Sequence, residues 1–197
     1  MNERSNLYTP TEEINEFFIQ LGKNGFRPIL SKIEQEVFHG TSEEIAGIIV
    51  GTQHLIESPE ERGMLGRGVY FYENKPIAGP EIASAWAKHD KKYSTQAVVV
   101  GHISAEAIFD LTLKENKNYF QLVFDWAANK AKLASPEDVW KLTVPKVIKF
   151  ILSNCPERDA IQVARWNGFK LPALGTTCQF GLVVRDQRCI KRVWLHS

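Results

Sequence analysis

The amino-acid sequence predicts a mixed α+β domain, and three observations carry that prediction. Helix-period apolar stripes interleave with short strand-like runs, as in a sheet covered by helices rather than a bundle or an all-β sandwich. Four or five of those runs abut glycines, as in "FHG" and "GVYFY", a pattern of sheets that open onto a ligand cleft. With 197 residues, 44% hydrophobic and 24% charged, the chain suits one domain with a real core and shows no bias toward disorder.

The elements follow in order. Residues 11–22, "TEEINEFFIQLG", make an amphipathic helix: Thr11 caps it, Ile14, Phe17, Phe18 and Leu21 share one stripe, and Gly22 stops it. "EQEVFHG" is a short strand, and "SEEIAGIIVG" a helix capped by Thr41 or Ser42, with acidic residues in its first turn. Residues 52–68 form a polar, glycine-bearing loop that closes on the aromatic strand "GVYFY". "PEIASAWAKHDKK" starts a helix at Pro80, and "QAVVVGHIS" and "AIFDLT" are the two clearest strands. From Lys114 to Asn154 the pattern is helical, with a start at Ser135-Pro136-Glu137-Asp138 and a break or kink at Pro145. Strands return in "DAIQVARW", "CQFGLVVRD" and "CIKRVWLH", the last two around a hairpin.

Composition excludes several classes. The formal charge is 24 − 23 = +1, so no global field draws the chain onto nucleic acid or an anionic membrane. Cys155, Cys178 and Cys189 are odd in number and contain no CxxC pair, which argues against a disulfide framework and structural zinc and for a reducing, cytoplasmic setting. The first residues lack an apolar signal region, and no run has the length of a membrane span.

Three fragments carry the chemistry: "FHGT" at 38–41, "GRGVYF" at 66–71 with "ASAWA" at 83–87, and "CQFGLVVRD" at 178–186. Each alone has a plain explanation: a cap and turn for the first, a glycine turn entering a core strand and an apolar helix face for the second, and for the third an edge-strand polar residue at Gln179. In this order they resemble the ADP-ribosyltransferase superfamily, on its poly(ADP-ribose) polymerase and diphtheria-toxin-like branch. The likeness spans about residues 35–195 and leaves the N-terminal helix and the 114–154 segment without a matching motif.

The resemblance implies a single catalytic domain over 1–197, with split mixed β-sheets around an NAD cleft, peripheral helices, an N-terminal helical extension at 1–34 and a helical insertion at 114–154. It implies NAD as co-substrate and no metal. The catalytic set becomes His39, Tyr70 and Gln179, and NAD is held by His39, Gly40, Thr41, Tyr70, Trp86 and Arg67. Gly40, without a Cβ, would let its backbone approach the carboxamide, and His39 would meet an adenosine-ribose hydroxyl. Tyr70 and Trp86 would sandwich the cationic nicotinamide ring, each stack contributing ~1 kcal/mol beyond area burial.

Two departures from the family pattern matter. Tyr70 and Trp86 stand 16 residues apart, a long spacing that lets Tyr72 or Phe71 compete as the second aromatic. Gln179 stands where polymerising relatives have glutamate. A carboxylate ~4 Å from the growing ribose charge would contribute roughly 4 kcal/mol at an effective dielectric near 20. Glutamine keeps the hydrogen bond, loses that charge and cannot act as a base toward an incoming ribose hydroxyl. Glu73 is the better stand-in carboxylate, Asp186 lies at the far end of its strand, and Asp110 suits a strand-end contact. Arg62, Arg67 and Lys75 flank the glycine loop, where they would meet the NAD pyrophosphate or serve as plain surface charge. The basic residues of "RDQRCIKR" alternate faces and form no single patch. His54, His89, His102 and His196 have no partner at catalytic spacing.

The expected activity is therefore NAD-dependent mono-ADP-ribosyl transfer to a macromolecular acceptor, protein or nucleic acid, with release of nicotinamide. The setting implied is a toxin, effector or defence protein, cytoplasmic or delivered into a target cell, with an antitoxin or immunity partner and no membrane. The alternatives are an NAD glycohydrolase and a catalytically silent NAD- or ADP-ribose-binding module.

Overall fold

The computed structural model describes residues 11–60, 63, 65–74, 78–89, 91–134, 143–167, 170–171, 176–177 and 180–197. Helix α1 (Thr11–Lys23) buries Phe18 and Leu21 of its stripe, with Glu12 and Glu13 in the first turn and Lys23 in the last, charges that suit the helix dipole. Strand β1 (Leu30–Thr41) begins before the expected "EQEVFHG", so part of the segment read as an N-terminal extension belongs to the sheet. Ser42, not Thr41, caps α2 (Glu43–Thr52), its hydroxyl accepting from Ile45 N at 3.3 Å. Strand β2 (Val69–Tyr72) and helix α3 (Gly79–His89) follow as expected.

The two expected strands at 96–104 and 107–112 are one strand, β3 (Ala97–Asp110). Its polar middle bulges instead of breaking: the register against β1 runs Ile33↔Ala105 and then Ser31↔Ile108. Gln162 satisfies the bulge, its Oε1 accepting from Glu106 N at 2.9 Å and Ala107 N at 3.2 Å. Helices α4 (Lys114–Ala134) and α5 (Val144–Asn154) occupy the expected helical segment. Pro145 sits in the first turn of α5, where its missing N–H costs nothing, and the expected start at Ser135–Asp138 lies outside the described residues. Then come β4 (Val163–Asn167), β5 (Lys170–Leu171), β6 (Thr176–Thr177), β7 (Phe180–Val184) and β8 (Ile190–Leu195).

The main sheet runs β1-β2-β7-β4-β3-β8, with β1 and β3 also paired, so five strands close into a ring and β8 lies outside it. Where split sheets were expected, the division falls on β3: residues 99–103 pair with β8, and residues 108–110 pair with β4. The β3–β4 pair is parallel and the other pairs of this sheet are antiparallel, so the sheet is mixed. The expected hairpin is absent. After β7 the chain turns through Gln187–Cys189 and β8 joins β3, while β7 lies between β2 and β4.

Phe71, 1% exposed, fills the ring. Gly101 on β3 makes room for it, since a Cβ there would lie 3.1 Å from the Phe71 ring. Val37, Ile103, Ile108, Val163 and Leu182 pack in the same cluster. A second cluster joins α1, α4 and α5 through Phe18, Tyr119, Val123 and Ile148 to Phe109 and Val183 of the sheet. A third seats α3, by Ile82 and Ala83, on Phe38, Tyr72 and Val100. Fully burying a large apolar side chain of this kind contributes about 1.5–3 kcal/mol. Cys155 and Cys189 are buried free thiols, and no described helix is long and apolar enough to cross a membrane.

Candidate functional site

The seam between β1 and β2 is short: Phe38 pairs with Tyr72, while β1 continues to Thr41 against β3 alone. His39, the next residue, is half-buried where the two strands part. Its Nδ1 lies 2.9 Å from the Tyr70 carbonyl oxygen. A carbonyl only accepts, so Nδ1 carries the proton and the neutral ring offers a lone pair at Nε2. Burial pushes the imidazole pKa below 6.5; the Tyr70 carbonyl opposes that shift and the Lys91 charge adds to it. The His39 ring stands edge-on to Phe71 at 5.8 Å and tilted to Trp86 at 6.5 Å. His39, the Tyr70 backbone, Phe71 and Trp86 are therefore one group.

The Tyr70 phenol belongs elsewhere. It accepts from Leu65 N and donates to Gly66 O, both at 2.7 Å, and so ties down the loop before β2. Burial raises its pKa to about 12. Successive strand residues face opposite ways, so Phe71 is the aromatic of β2 that shares a cluster with His39. Gly40 also has a task other than the one expected. A Cβ there would lie 1.8 Å from the Ala83 carbonyl oxygen, so its open face is filled by α3. Thr41 is buried at the end of β1.

Gln179 and Cys178 lie outside the described residues, as do Arg62 and Lys75. Among the stand-in carboxylates, Glu73 is 5% exposed and accepts from Gln35 Nε2 at 2.6 Å and Arg165 Nε at 2.8 Å. Arg165 also meets Asp110 Oδ2 at 3.2 Å, and Asp110 Oδ1 accepts from Thr112 N at 2.7 Å, the strand-end contact expected of it. Asp186 accepts from the Arg188 backbone and guanidinium at the turn before β8. Arg67 is exposed, paired with Glu57, and borders a cavity of about 510 Å³ with Glu60, Arg158, Arg185 and Asp186. His39 and Trp86 do not line that cavity.

Sequence reasoning missed Arg165, Gln35 and Lys91. Arg165 left a trace, a charge two residues beyond Val163 and so on the same face of its strand; the other two left none.

Architecture defines the class only broadly: a mixed α/β domain with one main sheet, helices on its outside and a cluster of His39, Phe71 and Trp86 at an open seam. No family model and no solved structure matches the chain. An uncharacterized protein of Methanocaldococcus jannaschii is 26% identical over 98 residues, covering 49% of this chain and 46% of that protein. The match thus spans about half the length of each.

Proposed function

We propose that this chain is an NAD-dependent mono-ADP-ribosyltransferase on the poly(ADP-ribose) polymerase-like plan. One observation carries the reading. His39 of the "FHGT" motif is locked by the Tyr70 carbonyl of the "GRGVYF" motif, with Nε2 left as an acceptor and Trp86 of "ASAWA" beside it. Two motifs distant in sequence meet through backbone and side chain where a strand seam opens. Neutral at pH 7, His39 accepts a hydrogen bond from a ribose hydroxyl and orients the dinucleotide; it is not the base. The nicotinamide ring rests against Trp86. The C1′–N bond breaks with its electron pair going to nicotinamide, the acceptor nucleophile bonds to C1′, and the acceptor's proton leaves to solvent.

The commitment of Glu73 to Arg165 favours a second reading, a silent NAD- or ADP-ribose-binding module, because that carboxylate is not free to stabilise the ribose cation. Incubation with adenylate-labelled NAD and cell lysate, followed by separate protease and nuclease digestion, separates the readings. Nicotinamide release with label on a macromolecule is the expected result. Release without label indicates hydrolysis, binding without release a silent module, and no binding defeats the proposal.

A further inference from the structure

The C-terminal end of α3 folds back on itself. Lys91 N donates to the Trp86 carbonyl and Tyr93 N to the Ala87 carbonyl, both at 3.2 Å, and Lys92 takes a left-handed φ of 55°. This brings the Lys91 ammonium to 5.0 Å from the centre of the Trp86 ring. Its charge also reaches His39, where it adds to the lowering of the imidazole pKa. The cation of an exposed lysine thus stands beside the aromatic ring against which the nicotinamide is proposed to rest.

We infer that Lys91 is an electrostatic positioning residue that opposes the cationic nicotinamide of NAD and so favours its departure. The inference rests on the transferase reading. The nicotinamide ring arrives with a positive charge and leaves neutral, because the electron pair of the C1′–N bond returns to its nitrogen. The positive charge passes to the ribose C1′ and O4′, farther from Trp86. A cation at Trp86 raises the energy of bound NAD more than that of the transition state, which is a rate gain and not merely an affinity loss. It also draws on the same ring from beside it, and so weakens the cation–π attraction that Trp86 offers the cationic nicotinamide in its ground state. The chain thereby destabilises the leaving group's charge where a glutamate would instead stabilise the ribose.

The test compares NAD with NADH, whose dihydronicotinamide ring is neutral, by calorimetry on the unaltered chain and on Lys91→Met and Lys91→Arg. The expected result is that Lys91→Met binds NAD about tenfold more tightly, with NADH affinity unchanged, as fits removal of a partly screened charge a few ångströms away. Lys91→Met should also release nicotinamide about tenfold more slowly at saturation, so that kcat and KM fall together. Lys91→Arg should restore both values. Equal shifts for NAD and NADH, or a faster kcat in Lys91→Met, overturn the inference while leaving the transferase reading in place. If the unaltered chain binds neither nucleotide, both fall.

Discussion

His39 shows how one side chain ties stability to pH. Its folded pKa lies below the unfolded value of 6.5, so the folded chain resists a proton that the unfolded chain accepts. Its contribution is fully present above pH 6.5 and is lost as pH falls through 6.5 toward the lowered folded value. Denaturant melts between pH 7.5 and 5.5 should show stability falling with acid, and His39→Gln, which keeps a donor for the Tyr70 carbonyl, should flatten that fall. Gly40 obeys steric rather than electrostatic limits. Gly40→Ala drives a methyl onto the Ala83 carbonyl, and the expected cost reaches or exceeds the upper end of the ~1–3 kcal/mol typical of overpacking, read as a lowered Tm. Its effect on NAD binding would follow from the displaced α3. Both residues were singled out in the sequence by type. Their neighbours were not, because neither the Tyr70 carbonyl nor the Ala83 carbonyl leaves any mark in the letters of "FHGT".

At the scale of elements, local chemistry spoke clearly and pairing did not. The helices at 11–23, 43–52 and 79–89 follow apolar stripes and caps that are written locally. In β3 the alternation is broken: Ala105 and Ile108 both join the inner cluster although an odd number of residues apart. That break suggests two strands, and only the bulge held by Gln162 makes it one. The loop before β2 depends on Tyr70 in the same way. Tyr70→Phe removes the partner of Leu65 N and should cost about 1–3 kcal/mol, with faster amide exchange at Leu65 than at strand positions such as Val99. The phenol's raised pKa, about 12 against 10.0, contributes stability that is complete below pH 10 and lost as pH climbs toward 12. The variant should lose part of that alkaline sensitivity, since Tyr119 is shifted in the same direction.

At the scale of the whole molecule, a cluster of charge joins four segments of the ring. Gln35 comes from β1, Glu73 from the end of β2, Asp110 from the end of β3 and Arg165 from β4. Arg165→Met would leave two shielded carboxylates without their cation, at an expected cost of about 3–5 kcal/mol in chemical denaturation. Adding Glu73→Gln to that variant should recover part of the loss, a coupling visible in a double-mutant cycle. By itself the sequence determined the helices, most of the strands and the mixed α+β character, and it singled out His39 and Gly40 by type, because apolar period, caps and glycines act within a few residues. Tertiary structure alone decided that β3 serves both β8 and β4, that Phe71 fills the ring, that Tyr70 braces a loop and that Glu73 is bound to Arg165. Those outcomes depend on which strand edges and which charges are left unpaired once the chain has folded, a property of distant segments together and of none of them singly.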